Sequence, residues 1–144
     1  MKILLALAAL FTTAFLLTGA DASGVTYISH DKTADAFTKG APLVSAPDLK
    51  VSGNRRDKAG QVEVHDKETD VIQVLDGEAT FVTGGTMIGG KVSGPNQQLG
   101  TDIKGGETHH LTKGDVVVVP AGVPHWFKEV PKSVNYYVVK VIKP

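Results

Sequence analysis

One histidine in this sequence follows a run of valines and a tight turn, a setting that favours a role in chemistry. The run is Val116 to Val119, the turn is Pro120-Ala-Gly122, and the histidine is His125. Four consecutive valines indicate a strand buried on both faces, so we expect His125 to reach the rim or interior of a packed sheet. Because the chain has no cysteine, a metal ion there would be held by nitrogen and oxygen atoms.

The strand that begins at His125 is expected to alternate its side chains. Period-two alternation puts His125, Phe127 and Glu129 on one face, and Trp126, Lys128 and Val130 on the other. Glu129 would lie about 13 Å along the strand from His125, at ~3.3 Å per residue. That separation is too large for ligation of a shared ion, so Glu129 is predicted to be a structural or rim residue.

Short valine-rich runs separated by turn residues make up most of the chain. The predicted strands are Gln61–His65, Val71–Leu75, Ala79–Thr83, Val116–Val119, His125–Val130 and Asn135–Ile142. Such a pattern is typical of a sandwich, barrel or jelly roll. One short helix is predicted over Ser29 to Gly40, and the prolines of the following segment make Leu43–Val51 an edge strand.

A glycine-rich stretch from Gly84 to Gly106 interrupts the strands. It is too long for a hairpin turn, and its apolar residues are too many for a free linker. We expect it to fold back onto the domain, either as the lid or rim of a site or as a hairpin that covers a sheet edge.

Length and charge limit the classes of function. The chain has 144 residues, which allows one domain, and its 15 basic residues equal its 15 acidic ones. Without a basic field we expect no nucleic-acid binding and predict a small-molecule partner. The nucleophile elbow of hydrolases, the P-loop lysine motif and the dinucleotide fingerprint do not occur.

The first residues read as an export signal. Basic Lys2 precedes an apolar run from Ile3 to Leu17, and Ala20-Asp21-Ala22 is a small-x-small cleavage pattern. We predict a signal peptide over 1–22 with cleavage after Ala22, a helix and edge segment over 23–50, and a barrel over 51–144. The mature protein would be periplasmic or secreted, without stable membrane insertion; a retained N-terminal anchor is the alternative.

The stretch from Gly114 to Glu129 is similar to the second cupin motif, G-x5-P-x-G-x2-H-x3-N. Gly114, Pro120, Gly122 and His125 fill four of its five fixed positions, and Glu129 stands where Asn is usual. The resemblance implies an all-β fold, a cupin-type double-stranded β-helix or jelly-roll barrel, here with one short N-terminal helix. It also implies one divalent metal ion in the barrel, with His125 as a ligand.

The first cupin motif, G-x5-H-x-H-x3,4-E-x6-G, then matches in part upstream. His65 takes the place of its second histidine, Asp70 that of its glutamate, and Gly77 closes it, while Glu63 replaces the first histidine. The polar residues 66–69 suit a hairpin loop with His65 and Asp70 at its two ends. The resemblance thus implies metal ligation by Glu63, His65, Asp70 and His125, a set suited to Fe, Mn, Ni, Co or Zn.

Each of these residues also has a structural interpretation. His125 and His65 would be buried histidines bonded to carbonyl groups, Asp70 a turn residue, and Glu63 a charged residue at a strand end. The site would then be vestigial. Of the two adjacent histidines further along, His109 shares the face of Leu111 and is a weaker pocket candidate, while His110 is expected on the surface.

Two function classes follow from the resemblance. The first is a metal-dependent enzyme of oxygenase, isomerase or lyase type that acts on a small organic molecule, with His65, Asp70 and His125 as ligands and Glu63 as fourth ligand or nearby base. The second is a non-catalytic module that binds a small ligand or a metal. A homodimer is a further expectation, resting on Trp126, Tyr136 and Tyr137 on an outer sheet face.

Overall fold

A computed structural model describes residues 24–144, which form two large β-sheets, a two-stranded ribbon and one helix. The elements are α1 (His30–Lys39), β1 (Ala41–Ser45), β2 (Leu49–Arg56), β3 (Val62–His65), β4 (Glu68–Gly77), β5 (Ala79–Thr83), β6 (Thr86–Ile88), β7 (Lys91–Gly94), β8 (Gln97–Gly100), β9 (Asp102–Lys104), β10 (Glu107–Leu111), β11 (Val116–Val119), β12 (His125–Glu129) and β13 (Val134–Ile142). The first sheet has the order β1-β2-β13-β4-β11, and the second β10-β5-β12-β3-β8-β7. The predicted double-stranded β-helix, or jelly roll, with one short helix is confirmed.

The core lies between the two sheets, where alternate residues of each strand meet. Its largest fully buried side chains include Phe81 on β5 and Ile72 and Val74 on β4. Aromatic rings extend it, since Phe127 packs against Phe81 at a centroid distance of 4.7 Å and against Tyr136 at 4.8 Å. Alternation of apolar and polar residues along the strands is therefore what closes the barrel.

The segment that follows the helix is a hairpin, whereas the sequence indicated one edge strand over Leu43–Val51. The chain turns at Ala46–Asp48, around Pro47, and forms β1 and β2. Strand β1, which contains Pro42, is the edge strand, and β2 lies inside the sheet beside β13. Because β2 lies between two strands of the sheet, it forms part of the barrel wall, and residues on its inner face, such as Arg56, can line the interior.

The valine strand β11 is an edge strand, so the expectation that it is buried on both faces is wrong. Within residues 24–144 it pairs only with β4. Val116 and Val118 are 56% and 58% exposed, whereas Val119 is 2% exposed and faces the core. A continuous apolar run does not by itself distinguish a central strand from an edge strand.

The glycine-rich stretch 84–106 folds back onto the domain and forms four short strands. Strand β8 pairs with β3 and continues the second sheet, and β7 pairs with β8. Strands β6 and β9 form a separate two-stranded ribbon. The stretch therefore covers an edge of the second sheet beside β3.

The predicted signal peptide, 1–22, lies outside the described residues. Within residues 24–144, no helix has the length and apolar character needed to cross a membrane.

Candidate metal centre

Three strands bring the predicted site residues together inside the barrel. Glu63 and His65 alternate along β3, Asp70 lies on β4, and His125 begins β12, opposite Glu63. The hairpin expected over 66–69 is absent. Strands β3 and β4 belong to different sheets, and a two-residue link between them sends the chain across the barrel, so His65 and Asp70 face each other from the two walls.

His65 is the centre of the cluster. Its Nε2 atom lies 3.4 Å from Glu63 Oε2 and 3.5 Å from Asp70 Oδ2. Among the described residues, this nitrogen is the one buried side-chain nitrogen or oxygen without a hydrogen-bond partner. A buried polar atom left in that state costs stability, so the site holds a ligating atom that the protein itself does not satisfy.

His125 is oriented for ligation through the same type of atom. Its Nδ1 lies 3.2 Å from the carbonyl oxygen of Val123. Because a carbonyl only accepts, Nδ1 carries the proton and donates it, which leaves the Nε2 lone pair facing Asp70 Oδ2 at 3.8 Å. Burial lowers the pKa of His125, so its neutral, ligating form is favoured near neutral pH.

The spacing of these four donors suits one divalent ion. Tetrahedral bonds of about 2.1 Å place neighbouring donors roughly 3.4 Å apart. Three separations lie near this value: His65 Nε2 to Glu63 Oε2 at 3.4 Å, His65 Nε2 to Asp70 Oδ2 at 3.5 Å, and His125 Nε2 to Asp70 Oδ2 at 3.8 Å. Two imidazole nitrogens and two carboxylate oxygens are ligands that Fe, Mn, Co, Ni and Zn accept. Glu63, His65, Asp70 and His125 could therefore hold such an ion.

Glu68 is a fifth ionisable residue at the centre, and sequence reasoning placed it in a loop. It lies on β4 two residues before Asp70, so both side chains share one face. Its Oε2 is 3.8 Å from His65 Nδ1. Ligating atoms of His65, Glu68 and Asp70 lie within 4.8 Å of one another, as do those of Glu63, His65 and His125.

Cations of the chain contact all three carboxylates. Lys140 Nζ lies 2.9 Å from both oxygens of Asp70 and 3.0 Å from Glu68 Oε2. Lys50 Nζ lies 2.8 Å from the other oxygen of Glu68, and Arg56 lies 3.3 Å from Glu63. The carboxylates are therefore fixed in place by ion pairs.

The electrostatics of Glu63 follow from these neighbours. Burial alone would raise the pKa of its carboxyl, but the contact with His65 and the charges of His125 and Arg56 outweigh burial and hold the pKa below 4.5. Arg56 also donates from Nε to the hydroxyl of buried Tyr136 at 2.9 Å. Glu63 is thus an ionised ligand candidate at neutral pH.

The sequence motifs do not include the cations, because a motif of ligand positions says nothing of charged residues on the other strands of the barrel. Tyr136, Val138 and Lys140 alternate on β13, and the first two are buried. Their alternation places Lys140 on the inner face as well. The sequence signal for Lys140 is a lysine that alternates with buried apolar residues near the end of a strand.

Two cavities adjoin the centre. The inner one, of about 120 Å³, is lined by Asp70, His125, Arg56, Trp126 and Tyr136 among others. The outer one, of about 350 Å³, is lined by His65, Glu68 and Lys50 and by Asn96 and Gln97, where β8 begins. Glu63 and Lys140 line both cavities, so a small molecule in either would meet the same charged groups.

Glu129 lies away from the centre. A β-bulge after Phe127 shifts the register, so Glu129 pairs with Thr80 and is exposed, off the inward face expected from alternation. His109 is half-buried and contacts the Thr83 hydroxyl at 3.1 Å, near Val116–Val119. His110 is exposed and lies 3.2 Å from Glu78.

The three aromatic residues on which the homodimer expectation rested have partners within the protomer. Tyr136 is buried in the core. Tyr137 packs edge-on against Phe37 of α1, with ring centroids 4.6 Å apart. Trp126 donates its indole N–H to the Gly60 carbonyl at 2.8 Å. The homodimer itself stays a prediction.

Known proteins share this architecture. The family model described as "Cupin" matches residues 49–144. The chain is similar in fold to the cupin domain of Schizosaccharomyces pombe Cnp3, with 15% identity, 72% of this chain and 59% of that chain covered, and a TM-score of 0.52. It is also similar to a cupin superfamily protein from Desulfitobacterium hafniense, with 17% identity, 72% and 75% coverage, and a TM-score of 0.50. No curated protein sequence matches the chain.

Proposed function

The chain belongs to the cupin family, and on that premise we propose that its barrel binds one divalent metal ion through Glu63, His65, Asp70 and His125. The observation that carries the proposal is the buried Nε2 of His65. It has no hydrogen-bond partner and lies between two carboxylate oxygens. A metal ion would satisfy this atom, and Fe, Mn, Ni, Co and Zn all suit the donor set.

We further propose that the centre is that of an enzyme acting on a small organic molecule. The ion would supply Lewis-acid or oxygenase chemistry if it takes five or six ligands, since it then has coordination positions beyond those of the four side chains. The chain's own contribution is positioning: Lys140 fixes the Asp70 carboxylate, and the Val123 carbonyl fixes the ring of His125. An inner cavity of about 120 Å³ limits the part of the substrate beside the centre to a few heavy atoms.

A non-catalytic binding module is the second candidate. The observation that favours it is the pairing of Glu63, Glu68 and Asp70 with cations, because a paired carboxylate is a poor proton-transfer base. Oxygen uptake or substrate turnover by the metal-loaded protein would exclude this candidate.

Metal titration of the purified mature protein by calorimetry tests the proposed centre. We expect binding of one ion per chain, and a loss of affinity of at least a hundredfold in His65→Ala and His125→Ala. His110→Ala is the matched control, since it removes an exposed histidine outside the centre, and it should bind as the wild type does. Equal affinity in all four proteins would contradict the proposal.

Export is a separate proposal, supported by the N-terminal pattern that ends at Ala22. Expression of the full chain in a bacterium should release a periplasmic or secreted form that begins at Ser23. Detection by mass spectrometry of only the full-length, unprocessed chain, located in the cytoplasm, would contradict the export proposal.

A further inference from the structure

The charges that surround the centre cancel one another. The ionisable residues lining the two cavities, apart from histidine and tyrosine, are three carboxylates and three cations, counted over residues 24–144: Glu63, Glu68, Asp70, Lys50, Arg56 and Lys140. Each carboxylate contacts at least one of the cations at 3.3 Å or less. With both imidazoles neutral, as ligation requires, the protein presents no net charge to an incoming ion.

A divalent ion in this site would therefore stay uncompensated. In a buried position an uncompensated charge is costly, and the usual remedy is a charge of opposite sign nearby. Here the carboxylates that would supply it already neutralise Lys50, Arg56 and Lys140. The loaded site would carry about two positive charges, which an anionic ligand would offset.

We propose that the loaded site takes a small organic anion, recognised by the metal ion and by Lys140 together. This inference rests on the proposed metal centre and names the class of molecule that it receives. Lys140 is suited to the role because it lines both cavities while it holds Asp70 at 2.9 Å. Its ammonium has three N–H donors, and two of them bond the oxygens of Asp70. The third, nearest Glu68 Oε2 at 3.0 Å, can turn to an anion because Glu68 keeps Lys50 as a partner.

The inner cavity limits the size of the anion. Its volume of about 120 Å³ admits a carboxylate with a short substituent at the centre, and any longer part of the molecule would extend toward the outer cavity of about 350 Å³. Because the anion compensates the ion, binding of each should strengthen binding of the other by the same factor.

The test compares acetate with acetamide, which has nearly the same shape without the charge. Co²⁺ is titrated into the wild-type protein by calorimetry, alone and with each compound, and the visible spectrum of the Co²⁺ form reports whether the compound reaches the ion. We expect acetate to bind the loaded protein at least tenfold more tightly than acetamide and to tighten Co²⁺ binding at least threefold. Acetamide binding as tight as acetate binding overturns the inference.

Variants assign the recognition to Lys140. Lys140→Met should reduce the ratio of acetate affinity to acetamide affinity to less than about a third of its wild-type value. The variant should also bind Co²⁺ alone more tightly, since the site gains a net negative charge. Lys113→Met is the matched control, because it removes the same charge from an exposed turn residue that lines neither cavity. Lys140→Gln, which keeps a donor for Asp70, replaces the Met variant if that variant does not fold.

The outcomes separate this inference from the proposed function. Absence of Co²⁺ binding with and without acetate overturns the metal centre itself. Tight Co²⁺ binding with no preference for acetate over acetamide is consistent with the metal centre but overturns the inference that the loaded site takes an anion. An equal loss of preference in the Lys113 and Lys140 variants overturns the role of Lys140.

Discussion

His65→Leu should make the metal-free protein more stable while removing its response to metal. Nε2 of His65 is buried without a hydrogen-bond partner, a state that costs about 1–3 kcal/mol. Leucine has a similar volume and no polar atom. Glu63 loses a contact with His65 that lowers its pKa, but it keeps Arg56 as a partner, and Asp70 keeps Lys140. The expected increase in the free energy of unfolding is about 1 kcal/mol, the lower end of that range because some contacts are lost.

His125→Leu is the matched comparison, and its effect should have the opposite sign. The Nδ1 atom of His125 donates to the Val123 carbonyl, and loss of that bond should lower stability by about 1 kcal/mol. Guanidinium unfolding in a chelator measures both values. With metal at a hundredfold its Kd, the wild type should gain about 2.7 kcal/mol and neither variant should gain appreciably. A His65→Leu protein that is less stable than wild type in chelator would refute the reasoning.

Two further predictions concern the backbone and pH. Gly77 and Gly122 both have φ near +80°, so alanine at either should cost about 1–2 kcal/mol. A Cβ at Gly77 would also overlap the Ser133 carbonyl, whereas the space at Gly122 is open, so Gly77→Ala should be the more destabilising in chemical denaturation; equal effects would contradict this. The metal-free protein should melt at lower temperature as pH falls. Burial puts the folded pKa of His125 below 6.5. Burial raises the pKa of Glu63, but the contact with His65 and the nearby charges outweigh burial and hold that pKa below 4.5. The unfolded chain therefore binds more protons than the native one, first below about pH 6.5 and then below about 4.5, and stability is lost in both windows. A melting temperature that is constant between pH 7 and 4 would disprove that assignment.

Local sequence signals located the strands better than they located the pairing of those strands. The bounds predicted for β5 and β11, Ala79–Thr83 and Val116–Val119, agree with the structure. Turn residues and β-branched runs are local features, which explains the agreement. Whether β11 lies at an edge, or whether β3 pairs with β4, depends on contacts between distant segments. The same holds for the bulge that turns Glu129 outward, since a bulge is a property of two strands rather than one.

The candidate site shows the same division between local and distant information. The sequence pattern named Glu63, His65, Asp70 and His125, and the structure brings their side chains together. It gave no indication of Lys140, which lies 70 residues from Asp70 along the chain and contacts it through pairing of β13 with β4. Ion pairs across a sheet follow from register, and register is fixed only when the whole sheet forms.

That register changes the chemical interpretation of the acidic residues. Taken alone, Glu63 in place of a histidine makes the centre more acidic than the pattern it resembles, and an acidic centre would repel anions. Arg56 and Lys140 reverse this conclusion, since they neutralise Glu63 and Asp70 before any metal binds. A divalent ion then gives the cavity a positive charge instead of cancelling a negative one. The search for an activity should therefore begin with small organic acids, which the composition of the chain, with equal numbers of acidic and basic residues, could not have suggested.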